Sequence, residues 1–244
     1  MPTPRFYCPI LLEPGKRVSL PANAAVHACR VLRLQPGDPV VLFNGDGRDY
    51  ACSLTEVGKN TASAEVLSRS EVNRESPLKV TLAQAISAGE RMDFTIQKAV
   101  ELGVTAIQPI ASQRSVVKLA GERADKRREH WQNVANAACE QSGRAFVPQV
   151  APPQALVNWL GALTPHALRL TLSPTATLAL PQLPQPADVI CLLVGPEGGL
   201  TAQEIELAAT HGFTPVRLGQ RILRTETAAL ATLAAIQTLW GDFG

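Results

Sequence analysis

No two of the five cysteines stand as Cys-x-x-Cys, and Cys8, Cys29, Cys52, Cys139 and Cys191 are odd in number and widely scattered. That argues against a disulfide framework and a zinc ribbon and fits a reducing compartment. The four histidines never fall at i, i+4 on one helix, so no metal site is expected. Apolar runs are short. Val189 to Val194 is among the longest, far below the roughly 20 residues of a membrane-spanning helix. The first residues, Met1-Pro2-Thr3-Pro4-Arg5, lack the apolar core of a signal peptide. A soluble, cytoplasmic protein with neither metal nor membrane partner is the expectation. A spaced His/Ser/Asp set and paired catalytic carboxylates are missing too, which argues against a hydrolase.

A large excess of charge of one sign is equally absent, the formal net charge being +2. Lys and Arg against Asp and Glu number eight to seven over residues 1–73, eleven to eight over 74–144, and four to six over 145–244. Bulk electrostatics therefore does not announce a nucleic-acid binder. Yet Arg217, Arg221 and Arg224, three of the last four cations, fall within eight residues of an otherwise acidic region. The signal lies in their placement.

What is present is enough apolar material, 45% of 244 residues, for one large or two modest cores. Through Val72 the chain reads as short strands, Arg17–Leu20, Pro39–Asn44, Tyr50–Val57 and Ala62–Leu67, separated by turn residues, with one short helix over Ala24–Leu32. A small β-barrel over 1–73 is the expected packing. The polar stretch Ser68 to Pro77 reads as a linker. Beyond it strands and helices alternate, which predicts an α/β domain with a mainly parallel sheet over 74–244. Its strands are Leu78–Ala85, Val104–Ala111, Val147–Val150, Ala167–Leu172, Val189–Val194 and Phe213–Leu218; its helices are Arg91–Leu102, Glu122–Ser142, Pro153–Leu160, one opened by the Thr201–Glu204 capping box, and Thr225–Trp240. Leu178 to Pro186 reads as a proline-rich connection. No charge interrupts Ala228 to Trp240, so that last helix must be covered on most of its surface, either by the sheet or by a second copy of the chain.

Two segments carry the chemistry. Val189–Val194 runs into Gly195-Pro196-Glu197-Gly198-Gly199, where adjacent glycines permit positive φ and leave no Cβ in a ligand's way. Arg217 to Ala228 holds another glycine, Gly219, three arginines and the start of a nearly uncharged helix. Neither matches G-x-G-x-x-G or the Walker pattern. Glycine turns at the carboxyl ends of two strands place backbone N–H and C=O groups at one crevice, a setting for a nucleoside with a cationic rim beside it.

These residues resemble a known family. Gly195-Pro-Glu-Gly-Gly199 and Leu218-Gly-x-Arg-Ile-Leu-Arg-Thr-Glu-Thr-Ala228 are similar to the S-adenosylmethionine motifs of the SPOUT-class 16S rRNA uridine-N3 methyltransferases, the RsmE family. So are Arg91 to Gly103, Arg114-Ser-Val116, Glu140 to Arg144 before Pro148, and His27 with Val31-Leu-Arg33 and Gly37-Asp38. The resemblance covers nearly the whole chain. It implies a PUA-like RNA-binding barrel (1–73), then a SPOUT methyltransferase domain (74–244) ending in a trefoil knot, and a homodimer. The implied substrate is 16S rRNA in the assembled small ribosomal subunit, methylated at N3 of uracil 1498. It implies S-adenosyl-L-methionine held by Leu172, Ser173, Gly195, Pro196, Glu197, Gly198, Gly199, Leu218, Gly219, Ile222, Leu223 and Thr227. Two other readings stay open: an RNA-binding assembly factor without turnover, and a methyltransferase of tRNA or of another ribosomal nucleotide.

N3 of uracil carries an imide proton and is a poor nucleophile until it leaves, so such a site must align N3 and stabilise charge on the carbonyl oxygens. Arg224 is the candidate for that stabilisation, its alternatives being an ion pair with Glu226 or Glu197, or a phosphate contact. Glu140 is a candidate proton acceptor if its pKa is raised, the alternative being a structural hydrogen bond at a helix end. Lys98 and Glu101 either pair with each other or border the cleft. Arg5, Arg30, Arg33, Arg114 and Lys118 are candidate phosphate contacts, or solvated surface charges. Trp131 and Trp159 read as core.

Overall fold

The computed structural model describes residues 3–117, 120–163, 168–186 and 188–244. They divide into two units, Met1–Glu75 with Asn136–Val147, and Ser76–Ala135 with Pro148–Gly244. The boundary expected from the sequence, at residue 73, places 136–147 in the second domain instead.

In the first unit, β1 (Arg5–Tyr7), β2 (Arg17–Ser19), β3 (Pro39–Phe43), β4 (Arg48–Val57) and β5 (Ala62–Glu71) make a five-stranded sheet in the order β1-β3-β4-β5-β2. β1 joins β3 in parallel, and the other pairings are antiparallel. Alternation along β4 and the first half of β5 turns Tyr50, Cys52, Leu54, Ala62, Ala64 and Val66 into one core with Phe6, Leu42 and the short helix α1 (Ala22–Val26). That helix widens into a π-turn over His27–Val31, closed by Leu32 N–H to the His27 carbonyl at 3.0 Å. The expected linker at Ser68 is corrected: β5 continues to Glu71, because Arg48 lies opposite Glu71 and its Nε donates to that carboxylate at 2.7 Å. Arg144, 4% exposed, fastens the return segment by donating from Nε to Glu75 at 3.0 Å. Burial pushes the neighbouring Cys139 thiol up to about 12, so it is protonated and inert at neutral pH.

The second unit alternates β6 (Lys79–Ala85), α2 (Glu90–Glu101), β7 (Ala106–Ala111), α3 (Glu122–Ser142, its last residues in the first unit), β8 (Gln149–Val150), β9 (Gln154–Ala155), α4 (Leu156–Gly161), β10 (Leu168–Leu172), β11 (Val189–Val194), α5 (Ala202–Thr210), β12 (Phe213–Val216) and α6 (Thr225–Trp240). The sheet runs β12-β10-β11-β6-β7-β8, with β9 also on β7, and every pairing is parallel. Central β11 is apolar throughout, as a strand covered on both faces must be. The helix expected from Pro153 begins later, at Leu156, because residues 154–155 pair with β7. Ala167, placed in a strand by the sequence reading, lies outside the described residues; the strand is described from Leu168. The connection over 178–186 contains a short 3-10 turn, Leu180–Gln182. Trp131 and Trp159 are core residues, and Trp131 donates from Nε1 to Asp93 at 3.1 Å.

Helix α6 buries Ala229, Thr232, Leu233, Ile236 and Gln237. Gln237 donates to the Leu102 carbonyl at 3.0 Å and accepts from Ser76 Oγ at 2.7 Å, which ties α6 to the end of α2. The opposite side, with Thr227, Ala231 and Thr238, is exposed. No described helix is long and apolar enough to cross a membrane. Leu192→Ala, at a fully buried position of β11, is expected to cost about 2–5 kcal/mol, seen as a lower urea midpoint. Ile222→Ala, at a residue 87% exposed, is expected to stay within about 0.5 kcal/mol.

Candidate functional site

β10, β11 and β12 are adjacent and parallel, and the chain leaves all three on the same edge of the sheet. At that edge lies a cleft of about 270 Å³, where open α/β sheets bind ligands. Its first wall is the turn after β10, with Leu172, Ser173 and Pro174. The second is the loop after β11, Gly195 through Leu200, and the third the segment after β12, which brings Leu218, Gly219, Ile222 and Leu223 to the cleft with the cations Arg217 and Arg221. The first turns of α6 close the floor through Thr225 and Ala228.

Local chemistry explains why the walls hold this shape. A Cβ on Gly195 would lie 2.8 Å from the Leu200 backbone nitrogen, so only glycine lets the loop fold back on itself here. Gly199 and Gly219 take φ of +67° and +68°, the left-handed region that β-carbons disfavour. Gly199 N–H closes a turn on the Pro196 carbonyl at 2.8 Å. Beyond the loop, Thr201 and Glu204 cap α5 reciprocally, at 3.2 and 2.8 Å, as their spacing predicts. Buried Glu204 also accepts the Gln113 N–H at 2.8 Å. Glu197 accepts from Ala88 N–H at 3.0 Å and from Arg91 at 2.9 Å. Partial burial pushes the Glu197 carboxyl up, but the N–H groups of Glu197 and Ala88 and the Arg91 guanidinium outweigh it and hold the carboxyl below its ordinary value.

An RNA methyltransferase domain model matches residues 74–237, and an RNA methyltransferase PUA domain model matches residues 20–67. The ribosomal RNA small subunit methyltransferase E of Buchnera aphidicola (from Schizaphis graminum) is 34% identical over 239 residues, 98% of this chain and 97% of that protein. Its namesake in Bacillus subtilis is 34% identical over 92% of this chain and 91% of its own length. The chain belongs to this RNA methyltransferase family. Among solved structures, the family member from Neisseria gonorrhoeae bound to S-adenosyl methionine shares 47% identity at a TM-score of 0.92, over 99% of this chain and all of that one. A putative methyltransferase of Legionella pneumophila, in complex with the same cofactor, shares 41% identity at a TM-score of 0.95 over both whole chains. The first unit is accordingly PUA-like and the second a SPOUT methyltransferase fold.

In this methyltransferase, eleven of the twelve candidate cofactor residues line the cleft; Thr227 does not. Thr225 does, and the sequence reading missed it. The two threonines stand two apart at the start of α6, so about 200° of helical rotation separates them, and a Thr-Glu-Thr string does not say which one faces inward. Arg221 was likewise singled out only as part of the cationic rim.

Arg224 is exposed just before α6 and outside the residues lining the cleft. Neither of the ion pairs named as alternatives forms among the described residues, and Glu197 is engaged by Arg91 instead. Glu140 lies in the first unit, near the end of α3, and accepts the Tyr7 N–H at 2.8 Å. Burial raises its pKa, partly offset by that hydrogen bond and by the charges of His27 and Arg5. The structural hydrogen bond named as the alternative for Glu140 is thus present. Lys98 and Glu101 pair at 2.8 Å.

Of the candidate phosphate contacts, Arg30 and Arg33 are exposed. Arg5 is paired with Asp49, donates to the Arg144 carbonyl at 3.2 Å and lies 4.8 Å from the Phe43 ring centre, with its side chain 13% exposed. A phosphate would have to displace partners already in place. Arg114 donates to the Gly198 carbonyl at 2.8 Å and so braces the glycine loop. Lys118 lies outside the described residues. Among the described residues no three His, Cys, Asp or Glu side chains gather as a metal site.

The folded-state carboxyl of Glu197 lies below its ordinary value, so its ionised form stabilises the fold above 4.5, and that contribution is lost as pH falls through the depressed value. Glu197→Gln is expected to lower the melting temperature modestly at pH 7, and the gap to the parent protein should close as pH drops below 4.5. Thermal melts of both proteins across pH 3–7, roughly the carboxylate titration range, check this.

Proposed function

We propose that this enzyme transfers the methyl group of S-adenosylmethionine to N3 of uracil 1498 in 16S rRNA, with the assembled small ribosomal subunit as substrate. The observation that carries the reading is the cleft at the carboxyl ends of β10, β11 and β12, walled by glycine turns, in a chain 47% identical along its length to a relative solved with that cofactor. The residues fit the group. Bare backbone at Gly199 and Gly219, where a Cβ would meet open space, admits close approach, Leu172, Leu218 and Leu223 offer apolar contact for an adenine face, and exposed Ile222 stands where a ring can cover it.

The bound cofactor supplies an activated sulfonium methyl. The protein's part is to hold the cleft loops, align N3 and meet the negative charge that spreads onto the uracil carbonyl oxygens when the imide proton leaves to water. In this reading Arg224 meets that charge. Its support is its place at the start of α6, beside the cleft wall and without an ion partner among the described residues. Glu140 keeps its structural role in the first unit. Arg30 and Arg33 of that unit contact phosphate, which their exposure permits. The reading includes a homodimer formed over the uncharged exposed side of α6, and a trefoil knot made by the segments that wall the cleft.

Labelled S-adenosylmethionine with small subunits lacking the modification, followed by nucleoside mapping, is expected to yield 3-methyluridine at one position. Free 16S rRNA is expected to be a poorer acceptor. Arg224→Ala is expected to lower kcat by about 100-fold with little change in cofactor affinity. Full turnover by that variant removes Arg224 from the mechanism, and label in tRNA instead of the subunit removes the substrate.

A further inference from the structure

Behind the cleft runs a hydrogen-bond chain whose direction can be deduced. Gln84, fully buried in β6 and opposite Val194 of β11, donates from Nε2 to the Ala85 carbonyl at 3.0 Å and to Thr225 Oγ1 at 3.0 Å. A backbone carbonyl can only accept, so the nitrogen end of the amide must face it. Thr225 Oγ1 accepts from that nitrogen and has a single proton to give, which goes to the Gly195 carbonyl at 2.6 Å. The order is therefore Gln84 N–H to Thr225 O–H to Gly195 C=O.

Each member belongs to a different element at or behind the cleft. Gln84 is in the sheet, Gly195 opens the loop after β11, and Thr225, 6% exposed, begins α6 directly after the third wall. The outer limb of the first loop has its own braces, Glu197 on Ala88 and Arg91 and Gly198 on Arg114. The stretch from Leu218 to Arg224, which carries the third wall, is anchored before it by Arg217 N–H on the Leu178 carbonyl at 2.9 Å, and after it by Thr225 on Gly195.

We propose that Thr225 and Gln84 are positioning residues that set the spacing of the two glycine-bearing loops, and through it the enzyme's grip on S-adenosylmethionine. This rests on the cofactor reading above. The hydroxyl touches the protein rather than the reacting atoms, so its loss acts on cofactor binding more than on the chemical step. Valine at 225 keeps the shape but can neither donate nor accept, leaving the Gly195 oxygen and the Gln84 nitrogen each short of a partner.

The test is calorimetric titration of S-adenosylmethionine into the full-length parent protein and into Thr225→Val, Thr225→Ser and Gln84→Met, with KM and kcat from methyl transfer to small subunits. Thr225→Val is expected to raise the Kd and the cofactor KM about tenfold, with kcat at saturating cofactor within about threefold of the parent. Thr225→Ser, which restores the hydroxyl, is expected to return Kd to within about twofold. Gln84→Met is expected to weaken binding by a smaller factor, and its effect should vanish in the Thr225→Val background, because the two act as one chain. If the parent protein binds S-adenosylmethionine but Thr225→Val binds equally well, the positioning role falls while the cofactor reading stands. Equal damage from Thr225→Ser and Thr225→Val also overturns it, since bulk and not the hydroxyl would then matter. Should Thr225→Val fail to fold, an unchanged Kd in Gln84→Met overturns the chain on its own. A parent protein that does not bind the cofactor overturns both readings.

Discussion

The parallel register of β10 between β11 and β12 is the constraint on which the rest depends. Leu170 faces Leu192 on one side and Thr214 on the other, and Thr171 faces Leu193 and Pro215, so the three strands end nearly level. A slip of one residue in β10 would turn its side chains to the opposite face and put half-buried Arg169 where fully buried Leu170 packs. It would also stagger the turns at residues 173, 195 and 217, and the cleft exists only because those turns leave the sheet together. Burial of Leu170 beside half-buried Arg169 thus fixes the position of backbone groups that carry no specificity of their own.

Much of this was readable from residue order. Val189–Val194 is apolar without interruption and can only be an interior strand, and Thr201 with Glu204 announces its own helix start. Gly195 is a glycine because Leu200 stands where its Cβ would be. What could not be read depends on distant partners. Ser68 to Glu71 is as polar as any linker, yet Arg48 pairs it into a strand. Arg5 resembles a free surface cation until Asp49, 44 positions away, comes beside it. Thr225 and Thr227 are the same residue type with the same neighbour between them, and only helical phase separates a buried hydroxyl from an exposed one.

Charge illustrates the same limit. The resemblance drew attention to the Arg91 helix and to Arg114, and both arginines act at the cleft, though through its architecture: Arg91 on Glu197, Arg114 on the Gly198 carbonyl. A glycine-rich loop is cheap to bend and costly to order, because its residues lose the most backbone freedom. Guanidinium groups reaching in from neighbouring segments offset that cost with charge-assisted hydrogen bonds. Cations that a sequence reader assigns to an RNA backbone can serve instead to stiffen a loop that binds a small molecule. Arg217 and Arg221, which line the cleft and are exposed, keep their charge available.

The walls differ in how they are held, and the difference has a thermodynamic consequence. Glu197, Gly198 and Gly195 give the loop after β11 side-chain partners on three other elements or their flanks, so its shape exists before any ligand arrives and binding pays little to fix it. The stretch from Leu218 to Arg224 exposes Gly219, Gln220, Arg221 and Ile222 and is anchored chiefly at its ends. A ligand entering the cleft gains apolar contact with Ile222 only by ordering that stretch, and the ordering subtracts from the affinity the contact supplies. Anything that limits how far the stretch can wander in the free protein shrinks that penalty. A short tie at its far end does so from beneath, without occupying any of the space the ligand needs.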